Sequence, residues 1–219
     1  MASPLSSDPS LAAFGSSLTA ITLAELGDKT FFMALILAVR HRARWVFIGS
    51  FAALTAVTLI SLALGYGLRE LLPQSLVPWL AAVLFLSFGI KLLIDAQGMA
   101  ANAATEEKAE AEQVINTAES SKVFNTAWAV IWEALVLVFI AELGDRTQFT
   151  TIFMATAPAQ VFSFGGLLAG TLLGHALVTW LAVGAGKWIG QWVNERLLYR
   201  LSGGLFLVFG LAALSQALS

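Results

Sequence analysis

Two short segments of this 219-residue chain place acids in the middle of apolar sequence: AELGDKT from Ala24 and AELGDRT from Ala141. Glu25 and Asp28 stand three residues apart, as do Glu142 and Asp145. On a helix that is a turn of about 60°, so each pair shares a face. A charge at bilayer depth costs at least ~2.5 kcal/mol on insertion scales, which makes such acids functional candidates. Lys29 and Arg146 follow immediately, each four residues after a glutamate. Acid-first pairs at that spacing are favourable, so one reading is a salt-bridge seam joining two long helices. That reading leaves two acids unanswered. Four carboxylates against two bases carry a net −2, the charge that one divalent cation neutralises. With the hydroxyls of Thr30 and Thr147, the amide oxygen of Gln148 and freed backbone carbonyls, they form a hard oxygen site. Such a site suits Mn²⁺, Ca²⁺ or Mg²⁺ better than Cu⁺ or Zn²⁺. Carboxylates that hold metal when deprotonated can hold protons instead, the minimum requirement for exchange.

The elements that must carry these residues follow from composition. Hydrophobic residues make up 58% of the chain and charged residues 12%, against roughly 25% charged in soluble proteins. Too little polar side chain is present to cover a water-soluble surface. The expected class is all-α, a polytopic membrane protein. A span needs roughly 20 apolar residues, and six stretches qualify: 11–39, 45–68, 77–96, 126–157, 161–186 and 200–218. The first, at about 43 Å for a continuous helix, must tilt, protrude or break. Gly27 and Gly144 lie between the acids of each pair. Glycine can leave the helical ladder and bare carbonyls to an ion, or it can simply let helices pack closely.

Landmarks recur in order. Glu142 follows Glu25 by 117 residues, VGAG at Val183 matches LGYG at Leu64, and LFLVFG at Leu205 matches LFLSFG at Leu84. This is an internal duplication of a three-helix unit. An odd number of helices per copy inverts the second copy, the plan of many secondary transporters with a midplane substrate site. The organisation read from this is a polar tail at 1–10, a first repeat at 11–96, a polar acidic linker at 97–125 and a second repeat at 126–219. The tail lacks the basic start and cleavage site of a signal peptide. Arg40, Arg42, Arg44, Lys108, Lys122, Lys187, Arg196 and Arg200 place their loops, and the linker, in the cytoplasm, whereas the opposite loops hold only Arg69. The linker reads as a solvated connection, flexible or helical, whose glutamates, among them Glu110 and Glu119, can also gather cations.

Secondary candidates are Glu133, either lining an entry path or sitting at the interface, and His175, either a proton relay or a core histidine bonded to a neighbouring helix. Lys91 and Asp95 read as a pair at the inner end of the third span. Trp79, Trp128, Trp132, Trp188 and Trp192 read as interfacial anchors. Gly65, Gly67, Gly184 and Gly186 read as close-packing positions. No strand precedes them, so a phosphate loop is excluded. The net charge of −2 without a basic tract excludes nucleic acid as a partner. The absence of cysteine removes disulfides, zinc-thiolate sites, iron–sulfur clusters and thiol chemistry.

The paired motif Glu-x-Gly-Asp-(Lys/Arg)-(Thr/Ser), here from Glu25 and from Glu142, resembles that of a widespread membrane family. Its studied members exchange Mn²⁺ or Ca²⁺ for protons in the Golgi, in chloroplast membranes and in bacteria and cyanobacteria. The resemblance covers about Leu11 to Leu218. It implies metal binding by Glu25, Asp28, Glu142 and Asp145, with Thr30 and Thr147 completing the motifs and Lys29 and Arg146 balancing charge. It also implies a transporter rather than an enzyme, with no cofactor, but leaves direction, preferred metal and membrane open. The expectation is export of Mn²⁺, or of Ca²⁺, from the cytoplasm. The short tail without a transit peptide suggests a prokaryotic plasma membrane, or a thylakoid membrane in a cyanobacterium. A monomer suffices for the site, and a homo-oligomer is compatible with it. The competing readings are an exporter of an amino acid or other small solute, a passive cation channel, and a structural subunit.

Overall fold

The computed structural model describes residues 8–98, 104–119, 126–157, 163–189 and 195–218. These residues form nine α-helices and no strand: α1 (Pro9–Glu25), α2 (Lys29–Arg40), α3 (Ala43–Leu71), α4 (Val77–Gly98), α5 (Ala104–Glu119), α6 (Ala127–Glu142), α7 (Arg146–Thr156), α8 (Phe164–Ile189) and α9 (Glu195–Leu218). Every apolar stretch expected to be helical is helical. Two of them are broken: 11–39 into α1 and α2, and 126–157 into α6 and α7. Among the described residues, α3, α4, most of α8 and most of α9 are long and apolar enough to cross a membrane, and the α6–α7 pair, bent by 68°, makes a fifth crossing if it is one span. Large apolar side chains such as Leu71, Trp128, Trp132, Trp180 and Val83 point outward. That is the surface expected of a protein solvated by lipid rather than water. Trp192 lies outside the described residues, as do the side chains of Trp188 and Lys187, the surroundings of Gly186 and the first seven residues of the tail.

The helices pair across the two halves of the chain. α1 packs along α8 and α3 along α6 and α7, while α4 lies against α9. Small residues permit the close approaches. A Cβ at Gly49 would meet Ile131 O of α6 at 2.4 Å, and one at Gly65 would meet Ile152 O of α7 at 2.4 Å. Gly67 and Gly184, expected to serve the same purpose, face open space instead. The LGYG and VGAG segments therefore match in sequence without matching in packing.

The linker is more structured than a solvated connection. Within it, α5 lies along α2 and buries Ala111 and Ile115, with Val114 packed beside them, in one core with Phe31, Met33 and Leu37. Positions 111, 114 and 115 form the narrow apolar stripe of an amphipathic helix. Polar ties hold it near its middle and at its C-terminal end: Lys29 Nζ to Glu110 Oε2 at 3.1 Å, and Arg40 and His41 to Glu119.

Candidate metal centre

The two breaks repeat almost the same backbone. After Glu25 ends α1, Leu26 is extended (φ −65°, ψ 116°), Gly27 is left-handed (φ 78°) and Asp28 is extended (φ −78°, ψ 166°). After Glu142 ends α6, Leu143 (φ −68°, ψ 113°), Gly144 (φ 87°) and Asp145 (φ −75°, ψ 163°) do the same. A left-handed residue costs roughly 1–2 kcal/mol with a Cβ and almost nothing in glycine. A Cβ at Gly144 would meet nothing within 4 Å. Backbone conformation, not close packing, is the reason for glycine there. Each break leaves the glutamate at the carbonyl-rich end of one half-helix, where the dipole already favours a cation. It leaves the aspartate at the N-cap position of the next.

The break also removes the expected helical pairs, because Glu25–Lys29 and Glu142–Arg146 no longer share a continuous helix. Hydroxyls replace the bases as partners of the glutamates. Thr30 Oγ1 donates to Glu25 Oε2 at 3.0 Å, and Thr147 Oγ1 donates to Glu142 Oε2 at 3.2 Å. Asp145 caps α7, accepting from Thr147 N at 3.2 Å and from Thr147 Oγ1 at 3.2 Å. Gln148, considered above as an oxygen ligand, turns its amide oxygen to Gly144 N at 2.7 Å and so ties down the broken turn.

The halves meet at these residues. One carboxylate oxygen from each of Glu25, Glu142 and Asp145 can be chosen so that all three lie within 4.8 Å of one another. Glu25 and Glu142 are almost fully buried. Glu25 Oε1 and Glu142 Oε1 have no hydrogen-bond partner. Asp28 completes the set from the side, paired with Arg146 Nη2 of the other motif. The Arg146 guanidinium also sits 5.4 Å from the centre of the Tyr199 ring in α9. No pattern in the sequence singled out Tyr199.

His175 Nδ1, on α8, stands 3.6 Å from Glu25 Oε1, beyond hydrogen-bond distance. A cavity of ≈ 10 Å³ lies here, lined by Glu25, Thr30, Ser50, His175 and Thr179 among others. That is about the space of one water. A larger cavity of ≈ 370 Å³ reaches the centre past Asp28, Asp145, Arg146, Lys91 and Asp95. Lys91 and Asp95 form no ion pair with each other and instead line this cavity. Glu133 is buried within the protein, 3.5 Å from His41 Nε2 and apart from the central carboxylates.

Buried carboxylates with unpaired oxygens, drawn from two halves to one point beside helix ends of negative polarity, have the ligand chemistry that a hard cation requires. The comparisons agree. Residues 13–100 and 130–219 match the family model described as divalent cation/proton antiporter GDT1. The chain is 38% identical over 204 residues to the GDT1-like protein sll0615 of Synechocystis, covering 93% of this chain and 97% of that one. It is 37% identical over 214 residues to Protein PAM71, chloroplastic, of Arabidopsis thaliana, and 34% identical over 217 residues to GDT1-like protein 1, chloroplastic, of Oryza sativa. Each alignment covers 93% of this chain but only 56% and 62% of those plant proteins. No solved structure matches. This membrane protein belongs to the GDT1 family of divalent cation/proton antiporters.

Proposed function

We propose that this chain exchanges Mn²⁺, with Ca²⁺ as the alternative cargo, for protons, exporting the metal from the cytoplasm of a prokaryotic cell. The site is one composite centre of Glu25, Glu142 and Asp145, with Asp28 held in reserve by Arg146, Thr30 and Thr147 orienting the glutamates, and Gln148 bracing the broken turn through Gly144 N. The observation that carries this is the pair of buried, unpartnered oxygens on Glu25 and Glu142. Burying such an atom unpaired is costly, and either a metal ion or a proton removes the cost. The two cargoes therefore compete for the same atoms.

The architecture proposed is six spans in two inverted three-helix units. The matched dihedrals at the two breaks support it, as does the reciprocal packing of α1 on α8 and α6 on α3. In that arrangement the α1–α2 pair is the counterpart of the bent α6–α7 pair. All ligands come from one chain, so a monomer is sufficient. One observation favours a small-solute exporter: the ≈ 370 Å³ cavity carries both charge signs and could admit an amino acid. The space beside Glu25 fits only an ion or a water, and the unpartnered oxygens of Glu25 and Glu142 favour a cation over a solute.

Purified protein in vesicles with an internal pH dye tests the reading. Mn²⁺ or Ca²⁺ added on one side should drive protons to the other. Apparent metal affinity should weaken as pH falls, because only deprotonated carboxylates bind metal. Metal flux without proton countermovement would establish a channel. Proton movement driven by an amino acid, and not by metal, would establish the solute exporter.

A further inference from the structure

A second cluster of metal-ligating groups lies outside the centre described above. His41 is the C-cap of α2, Glu119 is the last residue of α5 and Glu133 lies in the second turn of α6. One ligand atom from each can be chosen so that all three lie within 4.8 Å of one another. His41 Nε2 is 3.1 Å from Glu119 Oε1 and 3.5 Å from Glu133 Oε2. Metal–ligand bonds of about 2.2 Å at angles from octahedral to tetrahedral place neighbouring donors about 3.1–3.6 Å apart. Both distances from His41 Nε2 fall in that range, and the two carboxylates lie within 4.8 Å of each other.

Glu133 supplies the independent evidence. Its side chain is 1% exposed, and neither carboxylate oxygen has a hydrogen-bond partner. A single imidazole N–H can serve one carboxylate, and the geometry gives that bond to Glu119. Arg40 binds the other oxygen of Glu119 and, through Nη2, Asn116 Oδ1 at 2.7 Å. The guanidinium thus fixes Glu119 while Glu133 stays unanswered. With neutral His41, the two carboxylates and Arg40 sum to −1, a local charge that attracts a cation. A cavity of ≈ 530 Å³, lined by Arg40, His41, Arg42, Trp45 and Val130, gives access from outside.

We propose that His41, Glu119 and Glu133 form a second divalent-cation site, distinct from the central carboxylates, which clamps α5 onto α2 and α6. One imidazole and two carboxylates favour a first-row transition ion such as Mn²⁺, Fe²⁺ or Co²⁺ over Ca²⁺ or Mg²⁺, which prefer oxygen alone. The bound ion replaces a weak contact between the linker and Glu133 with coordinate bonds. It couples metal supply on this face to how firmly the linker covers α2.

Mn²⁺ bound to the purified full chain, counted and examined by pulsed electron paramagnetic resonance, tests this. Wild type should hold two Mn²⁺ per chain, one of them coupled to an imidazole nitrogen. His41→Asn should abolish that nitrogen coupling, and Glu133→Gln should remove one ion. Should Glu133→Gln fail to assemble, Glu119→Gln at the end of α5 carries the same expectation. The chain has one other histidine, and His175→Asn should leave the signal assigned to His41 in place. Asp145→Asn should leave it too, so the two centres stand or fall separately. A nitrogen coupling that survives His41→Asn and is lost in His175→Asn, or an ion count that Glu133→Gln and Glu119→Gln both leave unchanged, would overturn the proposal.

Discussion

The first motif copy, ending in Lys29 and Thr30, and the second, ending in Arg146 and Thr147, share a backbone and part company at their bases. Arg146 turns into the molecule, pairs with Asp28 of the other copy and rests over Tyr199. Lys29 turns out to Glu110 of the linker helix. Their aspartates differ correspondingly: Asp145 caps its own helix, whereas Asp28 makes no capping bond. A guanidinium is planar, weakly hydrated and able to stack on a ring, so it tolerates the half-buried position. An ammonium is compact and strongly hydrated and prefers the wetter edge. Repeated sequence therefore dictates repeated backbone, through glycine, while charge pairing follows the different surroundings of each copy.

The sharpest way to break this comparison is to delete each base. Removing one partner of a fully buried pair leaves an uncompensated charge at a cost of about 3–5 kcal/mol, which is the upper bound for this part-buried pair. Arg146→Ala should therefore lower the thermal midpoint of the metal-free protein strongly in detergent, and added Mn²⁺ should restore much of the loss. A midpoint unchanged from wild type would show that the Arg146–Asp28 bridge contributes nothing. The glycines come next. Gly144→Ala, with open space around the new Cβ but a left-handed backbone, should cost roughly 1–2 kcal/mol, and Gly27→Ala a similar amount. A neutral or stabilising Gly144→Ala would mean that the break is not maintained. Lys29→Ala should matter least. Exposed pairs contribute about 0–1 kcal/mol, and the Glu110 side chain is 64% exposed. A loss as large as that of Arg146→Ala would erase the distinction between the copies.

Much of the centre was legible because its signals are local. Four acids in apolar sequence and a glycine inside each pair can be read without a structure, and the excessive length of the first apolar stretch already pointed to a break. Conformation decided between the two roles of glycine, since left-handed φ at Gly27 and Gly144 depends on the whole turn. The helical pairs Glu25–Lys29 and Glu142–Arg146 that the spacing offers do not form for the same reason: four-residue spacing pairs side chains only while the helix continues. Long-range partners left no local trace. Nothing near Tyr199 points to Arg146, and nothing near Glu119 points to His41 or Glu133. The docking of α5 had a trace in Ala111, Val114 and Ile115, but that stripe is short and surrounded by glutamates.

The central claim is that both copies hold one ion, and removing a glutamate from each copy tests it most directly. Initial rates of Mn²⁺-driven proton movement should be measured in vesicles for Glu25→Gln, Glu142→Gln and the double mutant, each checked for correct assembly. A shared centre predicts that either single change reduces the rate to that of empty vesicles and that the double change is no worse, because residues acting as one unit are not additive. If each single mutant keeps about half the wild-type rate and only the double mutant is silent, the halves carry metal separately and the composite centre is wrong.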